Sequence, residues 1–315
     1  KIKDRDGADN TIMKLVVKNN DISELYISLE WSGDIKQRSR SISVTYMYAP
    51  NSGLPLVEVH EGDAVALFDD GNNQRFIGAV TKVESSLSSQ EVKFIARDIL
   101  WYTSRNKAAG VFQGTPDDIT RQVCAAFNIS IASLPEPTIQ TQKKVISTGD
   151  KTIHAVIAEA YGDGYYIQAE DRRLSVIASG TEVVAVISGE ENLLDANYSS
   201  SIENMVNRVQ IIDKSGTVLG TVQNDSDLQY GILQDVYKKE KDKDAQTEAR
   251  KMLKGKDTSS SIECLGSWEC VAGKSVYILD TSNKMRGKFL ITDDKHTFSG
   301  GLHLMTLGVE VCGTG

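Results

Sequence analysis

The chain has 315 residues, of which 40% are hydrophobic, 25% are charged and five are proline, and it carries a formal net charge of −8. That length serves two or three hydrophobic cores rather than one small module, and the composition is that of an ordinary globular protein, which excludes disorder as the default. The acidic balance argues against tight nucleic-acid binding, which needs clustered Lys and Arg to release counterions, and no stretch reaches the roughly 18 apolar residues of a membrane-inserted helix.

In chain order, Lys1 to Asn10 is charged where a signal peptide is apolar, so synthesis in the cytoplasm is expected, and the missing initiator Met points to a trimmed or incomplete start. Asp4, Asp6 and Asp9 resemble a calcium loop, but Gly7 falls one place too early, and a solvated terminus is expected instead. Ile42, Val44, Tyr46 and Tyr48 alternate on one side of a strand, and further strands are expected from Ala64 to Phe68, Arg75 to Glu84 and Glu91 to Ala96. The cluster Asp69 to Asn73 supplies residues that tolerate positive φ and reads as a hairpin turn.

The period then changes. Thr115-Pro116-Asp117-Asp118 is a helix start with a capping hydroxyl, proline at the first helical position and acids facing the dipole, and Ile119, Val123 and Phe127 form one stripe. A second helix is expected from Lys151 to Tyr161, capped by Asp150 and stopped by Gly162, with Ile153, Val156, Ile157 and Tyr161 buried. Leu134 to Pro137 reads as an extended connector, and Tyr165 to Ala169 with Leu174 to Ile177 as a hairpin. Strands return with Val206 to Ile212, the turn Asp213 to Gly216, and Thr217 to Gln223. The mixed-charge segment Lys238 to Asp244 leads into a helix ending near Leu253 to Gly255, and four strands close the chain: Ser261 to Leu265, Ser275 to Asp280, Lys288 to Thr292 and His303 to Glu310. The expected fold class is mainly β with an α+β middle region and two similar β-barrel-like domains: residues 1–105, a middle domain 106–202, and residues 203–315 with a helical insertion near 240–255.

Chemical signatures are sparse. Cys124, Cys264, Cys270 and Cys312 contain no C-x-x-C pair and read as packed thiols. Ala272-Gly273-Lys274-Ser275 resembles the end of a phosphate loop, yet Trp268 stands where that loop needs glycine and a strand follows. His296 and His303, near Asp293 and Asp294, are expected to make surface or turn contacts rather than bind metal. No serine or zinc hydrolase motif is present, so no catalytic residue, cofactor or metal site is expected. Carboxylate pairs for sugar cleavage are set by spatial distance and leave a peptidoglycan hydrolase as an alternative. Trp31, Trp101, Tyr165 and Tyr166 leave a carbohydrate-binding adhesin as another, with core packing the commoner role for such residues.

Two stretches look alike: Glu61-Gly62-Asp63 running to Asp69, and Ala272-Gly273-Lys274 running to Asp280. Each is a turn glycine feeding an alternating strand, and each is followed by a second glycine, Gly78 or Gly287, that opens a return strand. These four glycines are the expected turns of a structural repeat.

The succession of the Gly62-Asp63 strand, Phe76-Ile77-Gly78, Ala96 to Tyr102, the Thr-Pro-initiated helix, Asn207-Arg208-Val209, Tyr230-Gly231, the helix with Ala249 and Leu253, Leu265-Gly266 and Gly273 resembles the XkdQ/YqbQ-like tail hub family. The closing run His296 to Met305 is similar to that family's ending, so the resemblance covers nearly the full length. Members of the family are central baseplate hub proteins of contractile phage tails and related bacteriocins. The resemblance implies a structural homotrimer in which each chain gives two similar barrels, a pseudo-sixfold ring that joins a sixfold tail tube to a threefold central spike. It implies the tube, the spike, other baseplate proteins and the tape-measure protein as partners, assembly into a tail baseplate after synthesis in the host bacterial cytoplasm, and neither membrane insertion nor tight nucleic-acid binding.

Overall fold

The computed structural model describes residues 13–36, 39–50, 53–86, 90–135, 141–241, 243–280 and 285–312. The acids Asp4, Asp6 and Asp9, and Glu136 and Pro137 of the expected connector, lie outside the described residues. Two compact units are present: residues 1–196 with 261–315, and residues 197–260.

The larger unit begins with β1 (Lys14–Val17), β2 (Asn20–Asp21), β3 (Tyr26–Asp34), β4 (Ser41–Met47), β5 (Ala64–Phe68), β6 (Gln74–Ser86) and β7 (Glu91–Arg97). Alternation places Ile42, Val44 and Tyr46 fully inside, where they join Leu15, Leu67 and Phe94 in the first core. The Asp69 turn forms because its carboxylate accepts from the Asn73 amide at 2.8 Å and pairs with Arg75 at 2.7 Å, while Asn72 takes φ 61°.

A second core lies under α1 (Leu100–Arg105), β8 (Lys107–Gly114), α2 (Pro116–Ala126), β9 (Ile131–Ser133), β10 (Lys143–Thr152), α3 (Ile153–Tyr161), β11 (Tyr165–Glu170) and β12 (Arg173–Ala178). Thr115 and Asp118 close a reciprocal capping box on α2, and Ile119 and Val123 are buried. Phe127 departs from the expected stripe and is 37% exposed, because the helix ends at Ala126 and the next residues turn away, Asn128 with φ 54°. The cap of α3 also differs from expectation. Thr152, not Asp150, accepts from the Ala155 amide, because β10 runs on through Thr152 and Asp150 instead receives the Thr148 amide inside that strand.

Next come β13 (Val183–Ser188) and β14 (Leu193–Ser201), within which the chain passes into the smaller unit. That unit packs β15 (Arg208–Ile212), β16 (Val218–Gln223) and β17 (Gln234–Lys238) against α4 (Ala245–Met252), burying Val209, Ile211 and Ala249. The hairpin strand starts at Arg208, because Val206 instead bridges Lys254. The chain returns within β18 (Asp257–Leu265) and ends with β19 (Ser275–Asp280), β20 (Met285–Ser299) and β21 (Leu302–Val311), over a third core of Ile262, Ile278, Ile291 and Leu307.

The fold is mainly β, and its principal sheet runs β14-β18-β21-β20-β3-β4-β7-β6-β5-β1-β2, with β19 beside β20 and β13 beside β19. One strand order occurs in it twice: β3-β4-β7-β6-β5 and β14-β18-β21-β20-β19. The two runs meet where Leu29–Asp34 of β3 pairs antiparallel with Asp293–Phe298 of β20. Strand β20 is far longer than the Lys288 to Thr292 run suggests, since its ladder continues through Asp293-Asp294-Lys295-His296.

Candidate functional site

The repeated turns are built alike. Gly62 has φ 90° and Gly273 φ 91°, a region in which a Cβ is strained, and each amide donates to the return strand: Gly62 to Val80 O at 2.8 Å, Gly273 to Ile291 O at 2.9 Å. The reciprocal bonds, from the Val80 amide to Asp63 O and from the Ile291 amide to Lys274 O, are both 2.9 Å. In each return strand the register then slips at one place, between Val80 and Lys82 and between Ile291 and Asp293. Every one of these positions recurs 211 residues later.

The second glycines stand differently. Gly78 and Gly287 lie inside strands rather than turns, and they are not matched in register: Gly78 faces Val65, whereas Gly287 faces Ile278 and it is Phe289 that faces Val276. Gly78 has its own reason to be glycine, since a Cβ there collides with the Arg97 carbonyl oxygen, while nothing lies within 4 Å of a Cβ on Gly287. Lys274, the phosphate-loop-like lysine, starts no helix and bridges Glu182 at 3.4 Å and Glu269 at 3.8 Å.

The seam between β3 and β20 holds a buried polar cluster. Arg40 grips buried Asp294 with two nitrogens, at 2.8 and 2.5 Å, and the Ala272 amide donates to the same carboxylate at 2.6 Å. Burial alone pushes Asp294 up, but the Arg40 charge and the bonds from His296 and Arg40 outweigh it and hold the carboxyl down at about 2. Asp98, at the end of β7, accepts from the amides of Arg40 and Leu100 at 3.0 Å each, yet burial prevails and pushes it up to about 7.

His296 and His303 are inside, not at the surface or in a turn as their charged neighbours suggest: His296 is fully buried and its Nδ1 lies 2.9 Å from Nε2 of His303. His296 Nε2 faces the Cys270 carbonyl at 3.0 Å and therefore carries a hydrogen, so in the neutral ring Nδ1 accepts from His303. Burial and the neighbouring His296 push His303 down to about 3. Among the described residues no group of His, Cys, Asp and Glu is arranged to hold a metal ion.

Aromatic rings close the seam. The Arg40 guanidinium lies 4.1 Å from the Trp31 ring centre, and Trp268 stacks on Phe298 at 4.8 Å and lies 5.0 Å from His303. A cleft of about 310 Å³ opens beside them, lined by Trp31, Arg40, Arg75, Tyr166, Trp268 and Lys274 among others. Sugar stacking on Trp31 or Tyr166 is blocked, because they are only 3% and 7% exposed. Trp101 is half-buried under Arg105, and Tyr165 packs against Tyr161. All four cysteines are free, and Cys124, Cys264 and Cys270 are buried. No helix among the described residues is long and apolar enough to cross a membrane.

Sequence reasoning missed Arg40, named Asp294 only as a neighbour of the histidines, and passed over Asp98 within the run Ala96 to Tyr102 without a role. The signal available for Asp294 was the alternation Asp294, His296, Phe298, one step out of phase with Phe289 and Ile291 because of the slip at Asp293.

Comparison with known proteins places this geometry. The YQBQ-like family profile matches residues 29–310. The Bacillus subtilis phage-like element PBSX protein XkdQ is 26% identical over 93% of this chain and 95% of its own. The 43 kDa tail protein of Shewanella oneidensis prophage MuSo2 has a similar fold at TM-score 0.69 and 16% identity, with 95% of this chain and 97% of that one covered. The E. coli c3393 protein, a type VI secretion component described as similar to the T4 tail proteins gp27 and gp5, matches at TM-score 0.52 and 11% identity over 94% of this chain and 76% of its own.

Proposed function

The chain belongs to the YQBQ-like family, and from that premise we propose that it is a structural baseplate hub subunit of a phage tail or phage-tail-like particle. Three copies form a pseudo-sixfold ring that adapts a sixfold tail tube to a threefold central spike. In this reading residues 1–105 carry the first β-region and 203–315 the second, with residues 106–202 between them except that β14 at their end supplies the outermost strand of the second run. The tube, the spike and other baseplate proteins are its partners, the tape-measure protein passes its lumen, and the subunit is made in the host bacterial cytoplasm before assembly.

One observation carries the reading: a five-strand order occurs twice in one sheet, and within it the turn glycine, the return strand and its register slip recur at an offset of 211 residues. A chain with two like units presents six in a trimer while keeping true threefold symmetry for a different neighbour. The names of XkdQ and of the MuSo2 tail protein support the phage-tail context, and the likeness of c3393 supports a place beside the spike. The role assigned is structural, with Arg40, Asp294, His296 and His303 of the seam engaged in contacts within the fold. The net charge of −8 supports a passage that nucleic acid crosses without adhering.

Light scattering across a concentration range tests the ring. A stable mass near three times 34.5 kDa is expected. A monomer at every concentration, alone and with the spike protein added, overturns it.

A further inference from the structure

Within one chain the two like units are joined in a specific way. The second half of β20, Asp293–Phe298, has β21 on one flank and β3 on the other. Its counterpart in the first unit, 211 residues earlier, is the second half of β6 from Lys82. That stretch has β7 on one flank, from Lys82 opposite Ile95 to Ser86 opposite Glu91, and its β5 pairing ends at Ala79. No strand among the described residues covers the other flank of Lys82–Ser86.

The strand that fits there also exists. β14 holds in the second run the place that β3 holds in the first, both are nine residues long, and β14 ends the sheet order with β18 as its one strand neighbour among the described residues, where β3 has β4 and β20. Leu194 and Tyr198 of β14 are 57% and 56% exposed, large apolar side chains on a terminal strand. Open edges of this kind are templates for pairing with another chain.

We infer that β14 of one copy pairs antiparallel with the Lys82–Ser86 half of β6 in the next copy, repeating between chains the β3–β20 pairing that joins the two units within a chain. The contact is heterologous, one surface meeting a different one, so it leaves an open edge at each end of any incomplete assembly and is satisfied throughout only when the ring closes. The inference rests on the ring reading above and names the surfaces that make it. It also explains why, among the described residues, neither edge pairs with a second strand.

Disulfide trapping tests it in the full-length chain. With Cys312→Ser as background, Ser85→Cys is combined in turn with Tyr198→Cys, Ser199→Cys, Ser200→Cys and Ser201→Cys, which samples the register. Oxidation of at least one pair is expected to give a covalent ladder that stops at three chains, and Tyr198→Glu in the otherwise native chain is expected to reduce the light-scattering mass to one chain. A wild-type trimer that none of the pairs traps, and that Tyr198→Glu leaves intact, overturns the edge pairing while the ring stands. A wild type that remains monomeric even with the spike protein added sinks ring and pairing together.

Discussion

The Gly62 turn opens onto solvent with nothing within 4 Å of where a Cβ would stand, whereas the Gly273 turn is buried and a Cβ there runs into the Tyr166 ring, although both glycines share their φ and their backbone bonds. The same contrast holds further along the return strands. Val83 packs against an apolar core, and 211 residues later Asp294 is clamped by Arg40. Duplication fixes the backbone path, then, and leaves the side chains free to diverge. The second unit has used that freedom to build the seam that holds three parts of the larger unit together: β3, the β18–β19 connection and, through Tyr166, the middle region.

The largest expected effect follows from removing Arg40. Arg40→Met leaves the buried Asp294 carboxylate without its guanidinium partner, and a loss of about 3–5 kcal/mol in chemical denaturation is expected. Adding Asp294→Leu makes the seam resemble the apolar first unit, and recovery of most of that loss is expected. If the single variant costs under about 1 kcal/mol, the seam is not what distinguishes the two units.

The turns come next. Gly62→Ala meets only the strain of positive φ and is expected to cost about 1 kcal/mol. Gly273→Ala meets the same strain and the Tyr166 ring, and a cost larger by about 1–3 kcal/mol is expected in the same denaturation series. Equal costs would break the comparison.

Much of this was legible in the sequence for a simple reason: β4, β5 and β7 alternate without interruption, and Thr115-Pro116 and Gly162 are local signals that need no tertiary context. The seam was not legible, because its strand changes phase. Ile291 points inward, the slip at Asp293 shifts the alternation by one, and the acids and histidine that follow read as a solvated turn unless Arg40, 254 residues away in sequence, is known to face them. The match between Gly78 and Gly287 failed on the same ground, since a glycine in sequence does not report the register of its strand. Asp150 failed as a cap because a β-strand occupied the residues it was expected to begin a helix from.

The smallest effect concerns pH, and it sets one buried group in the first unit against one in the second. Asp98 rises from 3.8 to about 7, so the folded chain keeps a proton there that the unfolded chain has lost; its contribution to stability is full below 3.8 and disappears as pH rises through 7. His303 falls from 6.5 to about 3, so it is the unfolded chain that takes up a proton on acidification; its contribution is full above 6.5 and disappears as pH falls towards 3. Between about pH 4 and 6.5 the two slopes oppose each other, and the wild type is expected to be nearly flat. Asp98→Asn keeps an acceptor for one of the two amides, which donate to different carboxylate oxygens, and lowers stability at every pH; it also removes one slope, so stability is expected to rise with pH by up to about 1.4 kcal/mol per unit. His303→Gln keeps a donor for His296 and removes the other, so stability is expected to fall with pH over the same window. Denaturant midpoints at half-unit steps separate the two signs. If both variants stay as flat as the wild type, Asp98 and His303 are not the opposed groups, and the polar character of the seam has no bearing on how stability follows pH.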